Sequence, residues 1–373
     1  MRILYIINAF SWSGAERLVY DLALKIRNCV EYVGIAALYR NNGAAETEMI
    51  HNLRNAGIAA YTIGKETGSG RIRTIRILTQ IAKTNQVDLI HGHCSVPMLF
   101  AKIVGTILRL PVACTIHSTR GYSKAREKLT SWMVDKYVSI GAAAEAYMET
   151  DLAIAKEKIV RIYNAIDTEH FHRRTRDERF WENYGGKPGE QVLLNVARVH
   201  EAKNQMCIAR AVKKCLEGGY RDFRIYILGA YEEGSPVYQE LAHYIDSEKL
   251  MEHIVFLGMH SNVSDFLANA DCFVMTSAYE GLSVAFLEAV ISGLPIVVTD
   301  MPFVHELNEI APCSTIIPQN DSGKLARIIE QQCYTGQRDE TVRRFQKLFS
   351  MERFVQQHMH LYSELLRIYS KHK

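Results

Sequence analysis

Two glutamates lie eight positions apart across a turn that joins an apolar run to a helical pattern. Glu280 follows the run 271–275, and Glu288 lies within the apolar stretch 284–291. A short apolar run bounded by polar residues predicts a buried parallel strand, and the denser stretch after it predicts a packed helix. An ionised carboxylate accepts hydrogen bonds and can bind two hydroxyl groups at once. The pair therefore suits a polyol such as ribose or a hexose.

The turn between this strand and this helix offers a second kind of contact. A helix that begins near Ser283 points unpaired backbone N–H groups at a negatively charged group. In open α/β sheets, ligands bind at the carboxyl ends of the strands. A polyol next to a negative charge describes a sugar nucleotide, and we predict a sugar-nucleotide site here.

Two cations follow another predicted strand in the same half of the chain. Arg198 and Lys203 come after the apolar run 192–196. Arg forks onto phosphate oxygens, whereas Lys supplies a mobile point charge. Such a pair is often an ordinary surface feature, but its place after a strand predicts a diphosphate site.

The first half of the chain has two further candidates. Gly14 lies in a loop that joins a buried strand to a helix, and a glycine allows the backbone to approach a phosphate or a sugar. This loop lacks the GxGxxG fingerprint of dinucleotide-binding folds. His117 closes the strand 112–116, where we expect it to face an interdomain cleft and to exchange a proton or a hydrogen bond with a sugar hydroxyl.

Other polar residues at strand ends and turns have structural interpretations. His91 and His93 end the strand before that of His117, but no third ligand stands at a suitable spacing for a metal. We predict that both are structural histidines. Asp167 is predicted to close a local turn through backbone N–H groups.

Strand and helix patterns alternate along both halves of the 373-residue chain, which is long enough for two domains. The alternation pauses between residues 163 and 191, which predicts a linker there. We predict an α/β fold of two doubly wound, Rossmann-like domains. Residues 1–164 form the first domain together with a crossing helix at 352–373, and residues 165–351 form the second.

Charge and composition limit the classes of function. The net charge is +3, but residues 1–164 hold 21 Lys and Arg against 13 Asp and Glu, which gives +8. This asymmetry predicts an anionic partner on the first half, either a membrane surface or a phosphorylated acceptor, unless the charges are merely solvated. No nucleic-acid-binding module is recognisable. The basic residues concerned are Arg71, Arg73, Arg76, Arg120, Lys124, Arg126 and Lys128.

The eight cysteines are scattered without a CxxC pair, which favours a reducing cytoplasm over a disulfide framework or a zinc site. The apolar run near Met1 is too short for a signal sequence, and no other segment has the length of a bilayer span. We expect a cytoplasmic protein in contact with the inner face of the membrane.

Read in order, these residues resemble retaining glycosyltransferases of family 4, which have the GT-B fold of two Rossmann-like domains that face a cleft, with a C-terminal helix that crosses back to the first domain. The resemblance covers essentially the whole chain. Two positions depart from the common pattern: Ser13 replaces the first glycine of the amino-terminal loop, and Ala165 replaces the glycine usual after Asn164. The motifs that carry the resemblance are residues 13–16, 115–117, 164–167 with Phe171, Arg198 with Lys203, Gly229, 256–258, Glu280 with Glu288, and 292–295.

The resemblance implies a role for each candidate residue. Arg198 and Lys203 bind the donor diphosphate, Glu288 binds the ribose, and Glu280 binds the transferred sugar or its phosphate together with the amides of Gly281, Leu282 and Ser283. His117 binds a hydroxyl of the donor sugar, and the backbone after Gly258 holds the base. The donor is a UDP- or GDP-linked sugar, the acceptor is a glycan or a lipid-linked sugar, and no cofactor or metal is required.

Three alternatives stay open at this stage. A GT-B-type sugar-nucleotide 2-epimerase shares the architecture but needs acids and bases for elimination. The second alternative is a non-catalytic nucleotide-sugar-binding or scaffold protein, and the intact set Arg198, Lys203, Glu280 and Glu288 counts against it. A nicotinamide dehydrogenase is the weakest candidate, because its fingerprint is absent from the sequence.

Overall fold

The computed structural model describes residues 1–12, 14–66, 68 and 70–370. Its backbone contacts divide the chain into two units. The N-terminal unit comprises residues 1–165 and the helix that begins at Met351, and the C-terminal unit comprises residues 166–350. These boundaries lie one residue from those expected after residues 164 and 351.

The N-terminal unit contains a parallel sheet of seven strands in the order β3-β2-β1-β4-β5-β6-β7. Its strands are β1 (Arg2–Ile7), β2 (Tyr32–Ala37), β3 (Ala59–Thr62), β4 (Leu89–His93), β5 (Val112–Ile116), β6 (Lys136–Ser139) and β7 (Ile159–Arg161). The sequence pattern did not predict β7, a three-residue strand at the edge of the sheet whose side chains are partly or fully exposed.

The C-terminal unit contains a parallel sheet of six strands in the order β10-β9-β8-β11-β12-β13. Its strands are β8 (Gln191–Val196), β9 (Phe223–Leu228), β10 (Ile254–Gly258), β11 (Cys272–Met275), β12 (Ile296–Thr299) and β13 (Thr315–Ile317). Both sheets have the doubly wound, Rossmann-like strand order that the alternating pattern predicted.

Helices connect successive strands in each unit, as parallel pairing requires. In the N-terminal unit they are α1 (Gly14–Ile26), α2 (Ala44–Asn55), α3 (Arg71–Thr84), α4 (Ser95–Leu108), α5 (Lys124–Thr130) and α6 (Ala142–Thr150). In the C-terminal unit they are α7 (Gln205–Glu217), α8 (Pro236–Ser247), α9 (Val263–Asn269), α10 (Val284–Ile291), α11 (Pro302–Ile310), α12 (Ser322–Gln331) and α13 (Asp339–Leu348). The last helix, α14 (Met351–Ser370), belongs to the N-terminal unit.

Strand β1 shows how one strand contributes to two cores. Ile3, Tyr5 and Ile7 pack with α1, α2 and α14 on one face of the sheet. Leu4 and Ile6 pack with α3 and α4 on the other. Because side chains alternate between faces along a strand, a strand buried on both faces has a continuous apolar sequence. The sequence of β1 is such a run.

The segment expected as a linker packs largely within the C-terminal unit. Trp181 is buried and stacks on Tyr226 of β9 with ring centroids 4.2 Å apart, and its indole N–H donates to the backbone carbonyl of Asn269. Phe171 is also buried. The prediction of a linker across 163–191 was wrong for most of its length, because sparse aromatic residues carry enough apolar area to anchor a segment without helical or strand periodicity.

Asp167 closes a local turn as predicted. Its Oδ1 accepts hydrogen bonds from the backbone N–H groups of Glu169 and His170, each at 3.1 Å. No helix among the described residues is long and apolar enough to span a bilayer.

A buried ion pair holds α5 in the N-terminal unit. Lys102 of α4 pairs with Glu127 of α5, and both side chains are almost completely buried. The Lys102 ammonium also donates to Thr130 Oγ1 at 3.1 Å, and the Tyr137 hydroxyl donates to Glu127 Oε2 at 3.0 Å. A buried charge needs such partners, because its water shell is lost.

Replacement of Lys102 by Met should leave Glu127 buried without its counterion. We expect the free energy of unfolding to fall by about 3–5 kcal/mol, the cost of breaking a buried pair. Arg17→Met, which breaks the exposed pair between Arg17 and Asp21, should cost less than about 1 kcal/mol. Urea titrations followed by circular dichroism measure both losses, and equal losses would contradict the argument.

Candidate functional site

The strand order of the C-terminal sheet reverses between β8 and β11, which are neighbours in the sheet. Arg198 and Lys203 follow β8, and Glu280 follows β11. The chains leaving β8 and β11 turn away in opposite directions along the sheet, and a crevice forms at this reversal. The structure therefore brings three predicted site residues to the position where doubly wound folds bind ligands.

Hydrogen bonds join the two loops at this position. The backbone N–H of Ala278 donates to the carbonyl of Ala202 at 2.8 Å. The Thr276 hydroxyl lies 3.1 Å from the carbonyl of Lys203 and 3.0 Å from that of Asn204, and donates to both. The loop after β11 thus fixes the backbone that carries Lys203.

Lys203 and Glu280 form an ion pair between these loops. Their side chains are 22% and 15% exposed, and the Ser277 hydroxyl donates to the same Glu280 oxygen at 3.0 Å. The sequence assigned the two residues to different parts of a ligand. In the structure each neutralises the other, so an incoming anion and an incoming hydroxyl compete for groups that are already paired.

Arg198 has a different environment. Its side chain is exposed, and among the described residues no side-chain hydrogen bond or ion pair holds it. Its backbone carbonyl accepts from the Gln205 amide at 3.0 Å, which fixes the turn after β8. Arg198 is therefore a cation on a fixed turn with its guanidinium accessible to a phosphate.

The same turn passes close to the end of β9. Gly229 has φ +153°, and a Cβ atom at this position would lie 2.3 Å from the carbonyl oxygen of Ala197. A larger residue would push the turn that carries Arg198 out of place. The N–H of Gly229 donates to the carbonyl of Gly258 at 2.8 Å, so Gly258, expected near the base, lies beside this turn at the end of β10.

Helix α10 begins where the sequence predicted. Ser283 is its N-cap and accepts from the backbone N–H of Phe286 at 3.3 Å. Gly281 and Leu282 precede it and are buried. Glu288 lies in the second turn and is 7% exposed. The predicted hydroxyl-binding residue Glu288 is therefore buried within α10 rather than exposed on its surface.

In the N-terminal unit, α1 begins at Gly14 after the end of β1, again at a strand-order reversal, here between β1 and β4. Gly14 is exposed, and a Cβ there would have no neighbour within 4 Å. The neighbouring Ser13, singled out in the sequence, lies outside the described residues. Asn8 donates to Glu16 across this loop at 3.4 Å.

His117 follows β5 and contacts a second histidine. His93 Nδ1 and His117 Nε2 lie 3.0 Å apart. Burial lowers the pKa of His117 to about 4, and it holds the pKa of His93 well below its usual range. Two neutral rings share one proton in this bond, so one nitrogen donates and the other accepts. His93 therefore orients the ring of His117.

His91 has the structural role that the sequence predicted. Its Nδ1 lies 2.7 Å from the Tyr362 hydroxyl of α14, and its Nε2 lies 2.8 Å from Thr115 Oγ1. The Tyr362 hydroxyl lies 3.1 Å from the Tyr5 hydroxyl. These bonds tie α14 to the centre of the N-terminal sheet.

His93 was expected to be structural as well, but it also faces a small cavity. Its Nε2 has no hydrogen-bond partner among the described residues. The cavity has a volume of about 10 Å³, near the size of one water molecule, and is lined by His93, Thr115, His117, Asn164 and His358 among others. Burial also lowers the pKa of His358 to about 4. The rest of the lining is apolar, so the cavity beside His117 is a largely apolar pocket into which neutral histidines project.

The sequence did not identify Thr276, Ser277 or Gln205 as residues that position the site, and the structural role predicted for His93 did not include a contact with His117. His93, Thr276, Ser277 and Gln205 contact predicted site residues or their backbone. The one signal in the sequence was that His91 and His93 are two positions apart in a predicted strand, which places both side chains on the same face of β4. In the structure Thr115 of β5 lies on this face as well. The contacts of Ser277 and Gln205 required the fold.

The basic residues of the N-terminal unit fall into two groups. Arg71, Arg73 and Arg76 are exposed on α3. On α5, Arg126 is engaged within the unit, since it donates to Ser95 Oγ and lies 3.7 Å from Glu127. Lys124 and Lys128 are exposed. Within the described ranges, no group of three acidic, histidine or cysteine side chains is arranged to hold a metal ion.

Family models match most of the chain. The model for glycosyltransferase family 4 matches residues 12–170, and the model for glycosyl transferases group 1 matches residues 177–345. Each model corresponds closely to one unit of the structure.

Curated relatives and solved structures agree with these matches. The chain is 25% identical over 315 residues to EpsF of Bacillus subtilis, covering 80% of this chain and 79% of EpsF. It is 22% identical over 288 residues to the UDP-Gal:alpha-D-GlcNAc-diphosphoundecaprenol alpha-1,3-galactosyltransferase of Escherichia coli, covering 70% and 73%. The crystal structure of Anabaena HepE with UDP-glucose superimposes with a TM-score of 0.83 at 19% identity, covering 98% of this chain and 100% of HepE.

The buried histidines predict how stability depends on pH. The pKa of His358 is about 4 in the folded unit against 6.5 ordinarily, so the unfolded chain binds more protons between these values. The contribution of His358 to the free energy of unfolding is therefore complete above pH 6.5, and it is lost as the pH drops towards 4. His358→Gln, which keeps a donor for the Phe354 carbonyl, should reduce this slope by about 1.4 kcal/mol per pH unit.

Urea titrations of the N-terminal unit between pH 7 and pH 4.5 measure how the free energy of unfolding changes with pH. They cover about two of the pH units between 6.5 and 4. His51→Gln is the matched control, because His51 is exposed on α2 of the same unit. If both variants kept the slope of the parent, His358 would not be neutral in the fold.

Proposed function

Because the chain belongs to glycosyltransferase family 4 and has the GT-B fold, we propose that it is a retaining transferase. It moves a sugar from a nucleoside-diphosphate sugar to a glycan or lipid-linked acceptor in cell-surface polysaccharide synthesis. The observation that carries this proposal is the meeting of Arg198, Lys203 and Glu280 at the strand-order reversal of the C-terminal sheet.

The relatives support the substrate class. The Escherichia coli relative is named for a UDP-linked galactose and a diphosphoundecaprenol acceptor, and the Anabaena structure holds UDP-glucose. UDP is therefore the first nucleotide to test for this chain, with GDP second. A lipid-linked acceptor would place the protein in the cytoplasm at the inner face of the membrane.

The proposed chemistry follows from charge. As the bond from the sugar to the diphosphate breaks, negative charge develops on the phosphate and positive charge on the sugar ring. Arg198 stabilises the leaving phosphate through its accessible guanidinium, and Lys203 joins it when the phosphate draws the ammonium away from Glu280. Glu280, released from that pair, accepts a hydroxyl hydrogen of the sugar. No metal or other cofactor is part of this proposal.

The remaining residues of the proposed site bind rather than react. Glu288 accepts hydroxyl hydrogens of the ribose, and the backbone amides of Gly281, Leu282 and Ser283 face the sugar or its phosphate. The backbone after Gly258 contacts the base. His117 donates or accepts a hydrogen bond at a sugar hydroxyl, and Gly14 lets the backbone approach the donor. Front-face attack, in which the leaving phosphate takes the acceptor's proton, accounts for retention.

The overall proposal is tested by product analysis. The protein is incubated with a UDP-sugar and a lipid-diphosphate sugar acceptor, and the anomeric configuration of the product is read by NMR. An α-linked product from an α-linked donor is expected. An inverted linkage would contradict retention, and an epimerised donor without transfer would contradict transferase activity.

Arg198→Ala should reduce transfer by about a hundredfold or more, the effect of removing one preorganised charge donor. Arg210→Ala on α7 is the control, because Arg210 is an exposed arginine of the same unit. Initial rates at saturating donor give the comparison, with circular dichroism to verify folding. Normal turnover in Arg198→Ala would remove this residue from the diphosphate site.

Glu288→Gln keeps the size of the side chain but replaces one acceptor oxygen by an N–H donor. Nucleotide affinity should fall while the fold persists. At 100 times its dissociation constant UDP should stabilise the parent protein by about 2.7 kcal/mol, and the variant by less. Glu340→Gln, an exposed change on α13, should behave as the parent. A glycosyl adduct on Glu280 or Glu288, detected by intact mass, would instead make a glutamate the nucleophile.

A further inference from the structure

Helix α5 and the turn 131–133 that continues it present one exposed stripe. Its residues recur at positions 124, 125, 128, 129 and 132, which share one side of a helix at 3.6 residues per turn. The opposite side carries Glu127, which is completely buried. We call Lys124, Ala125, Lys128, Leu129 and Trp132 the α5 stripe.

Two members of the stripe are large apolar side chains in water. Leu129 is 75% exposed and Trp132 is 66% exposed. Single exposed apolar residues are ordinary, but here two lie next to each other on one face and two lysines share that face. The stripe contains no acidic residue.

The stripe stands on a rigid base. The buried pair of Lys102 and Glu127 fixes the inner side of α5. Beyond the helix, Lys158 donates to the backbone carbonyls of Ser131 at 2.8 Å and Val134 at 2.7 Å, which fixes both ends of the turn that carries Trp132. The apolar side chains are therefore held outward by buried polar contacts beneath them.

We propose that the α5 stripe is a docking surface for an anionic lipid bilayer. The Trp132 indole has an apolar body and a polar N–H, a combination suited to the boundary between headgroups and acyl chains. Leu129 enters the apolar side of that boundary. Lys124 and Lys128 lie on the same face and attract lipid phosphates.

Charge and area favour a membrane over a second copy of the chain. A two-fold contact through this stripe would bring the lysines of two copies together. A stable protein interface needs about 800 Å² from each partner, and a stripe of five side chains is too small to provide it. A bilayer needs no such area, because the remaining basic surface of the +8 amino-terminal half contributes attraction over a longer distance.

The inference extends the proposed function, since a lipid-linked acceptor resides in a membrane. It is tested without a donor or an acceptor, so that its failure and a failure of transfer are separate results. Co-sedimentation is measured with vesicles of phosphatidylcholine alone and of phosphatidylcholine mixed with phosphatidylglycerol, at low and high salt. The parent protein should bind the anionic vesicles, and high salt should weaken this binding.

Two double variants of the α5 stripe separate the apolar contribution to membrane binding from the electrostatic one. Leu129→Ser with Trp132→Ser should weaken partitioning by about tenfold or more. Lys124→Gln with Lys128→Gln should weaken it by about fivefold for each lysine on anionic vesicles and leave neutral vesicles unaffected. The matched controls in the C-terminal unit are Met251→Ser, an equally exposed apolar side chain, and Lys187→Gln with Lys214→Gln.

Trp132 also provides a direct spectroscopic readout. Its fluorescence should shift to shorter wavelength on addition of anionic vesicles and be quenched by brominated lipids, and Trp132→Phe should lose this response while it keeps most of the binding. Equal binding of the stripe variants and their controls would overturn the proposal, as would an absence of binding by the parent. Concentration-dependent dimers that are lost in the double serine variant would assign the stripe to a second copy instead.

Discussion

At a strand-order reversal, the chain segments that follow two neighbouring parallel strands turn away from each other and leave a gap beyond the ends of the strands. In the C-terminal unit this gap lies between the loops that follow β8 and β11. The loops close it through the bond from Ala278 to Ala202 and through the Thr276 hydroxyl. Everything at the candidate site depends on this closure, because it sets the distance between the cations after β8 and the carboxylate after β11.

The closure also determines the charge state of the site. Lys203 and Glu280 are partly buried and paired, so that neither charge is left without a counterion in a region of reduced dielectric. Arg198 is exposed on the same turn and is held through its backbone rather than through its guanidinium. The candidate site thus combines the exposed guanidinium of Arg198 with the ion pair of Lys203 and Glu280, which would have to separate before either partner could bind a ligand. An anion that bound Lys203 would separate it from Glu280.

The N-terminal unit handles its polar residues in a different way. His91, His93 and His358 are buried and His117 is partly buried, and desolvation keeps the pKa of each below the usual range. Neutral rings can pack at short distances that charged rings would not tolerate, as the 4.1 Å separation of the His91 and His93 centroids shows. Glu127 and Lys102, which are almost completely buried, form an ion pair instead. Neutral histidines therefore line the pocket beside His117, while ionic contacts lie under α5.

The sequence by itself determined the order and type of the elements and the residues that end them. Apolar runs identified β5, β8 and β11, and the ends of these strands carried His117, Arg198, Lys203 and Glu280. Tertiary structure decided what those side chains contact. Lys203 meets Glu280 across 77 positions, and His117 meets His93 across 24. Periodicity in the sequence indicates which face of an element is buried. A contact between two strand ends depends instead on which strands are neighbours and on the register of their pairing. Local sequence does not encode the choice of neighbours.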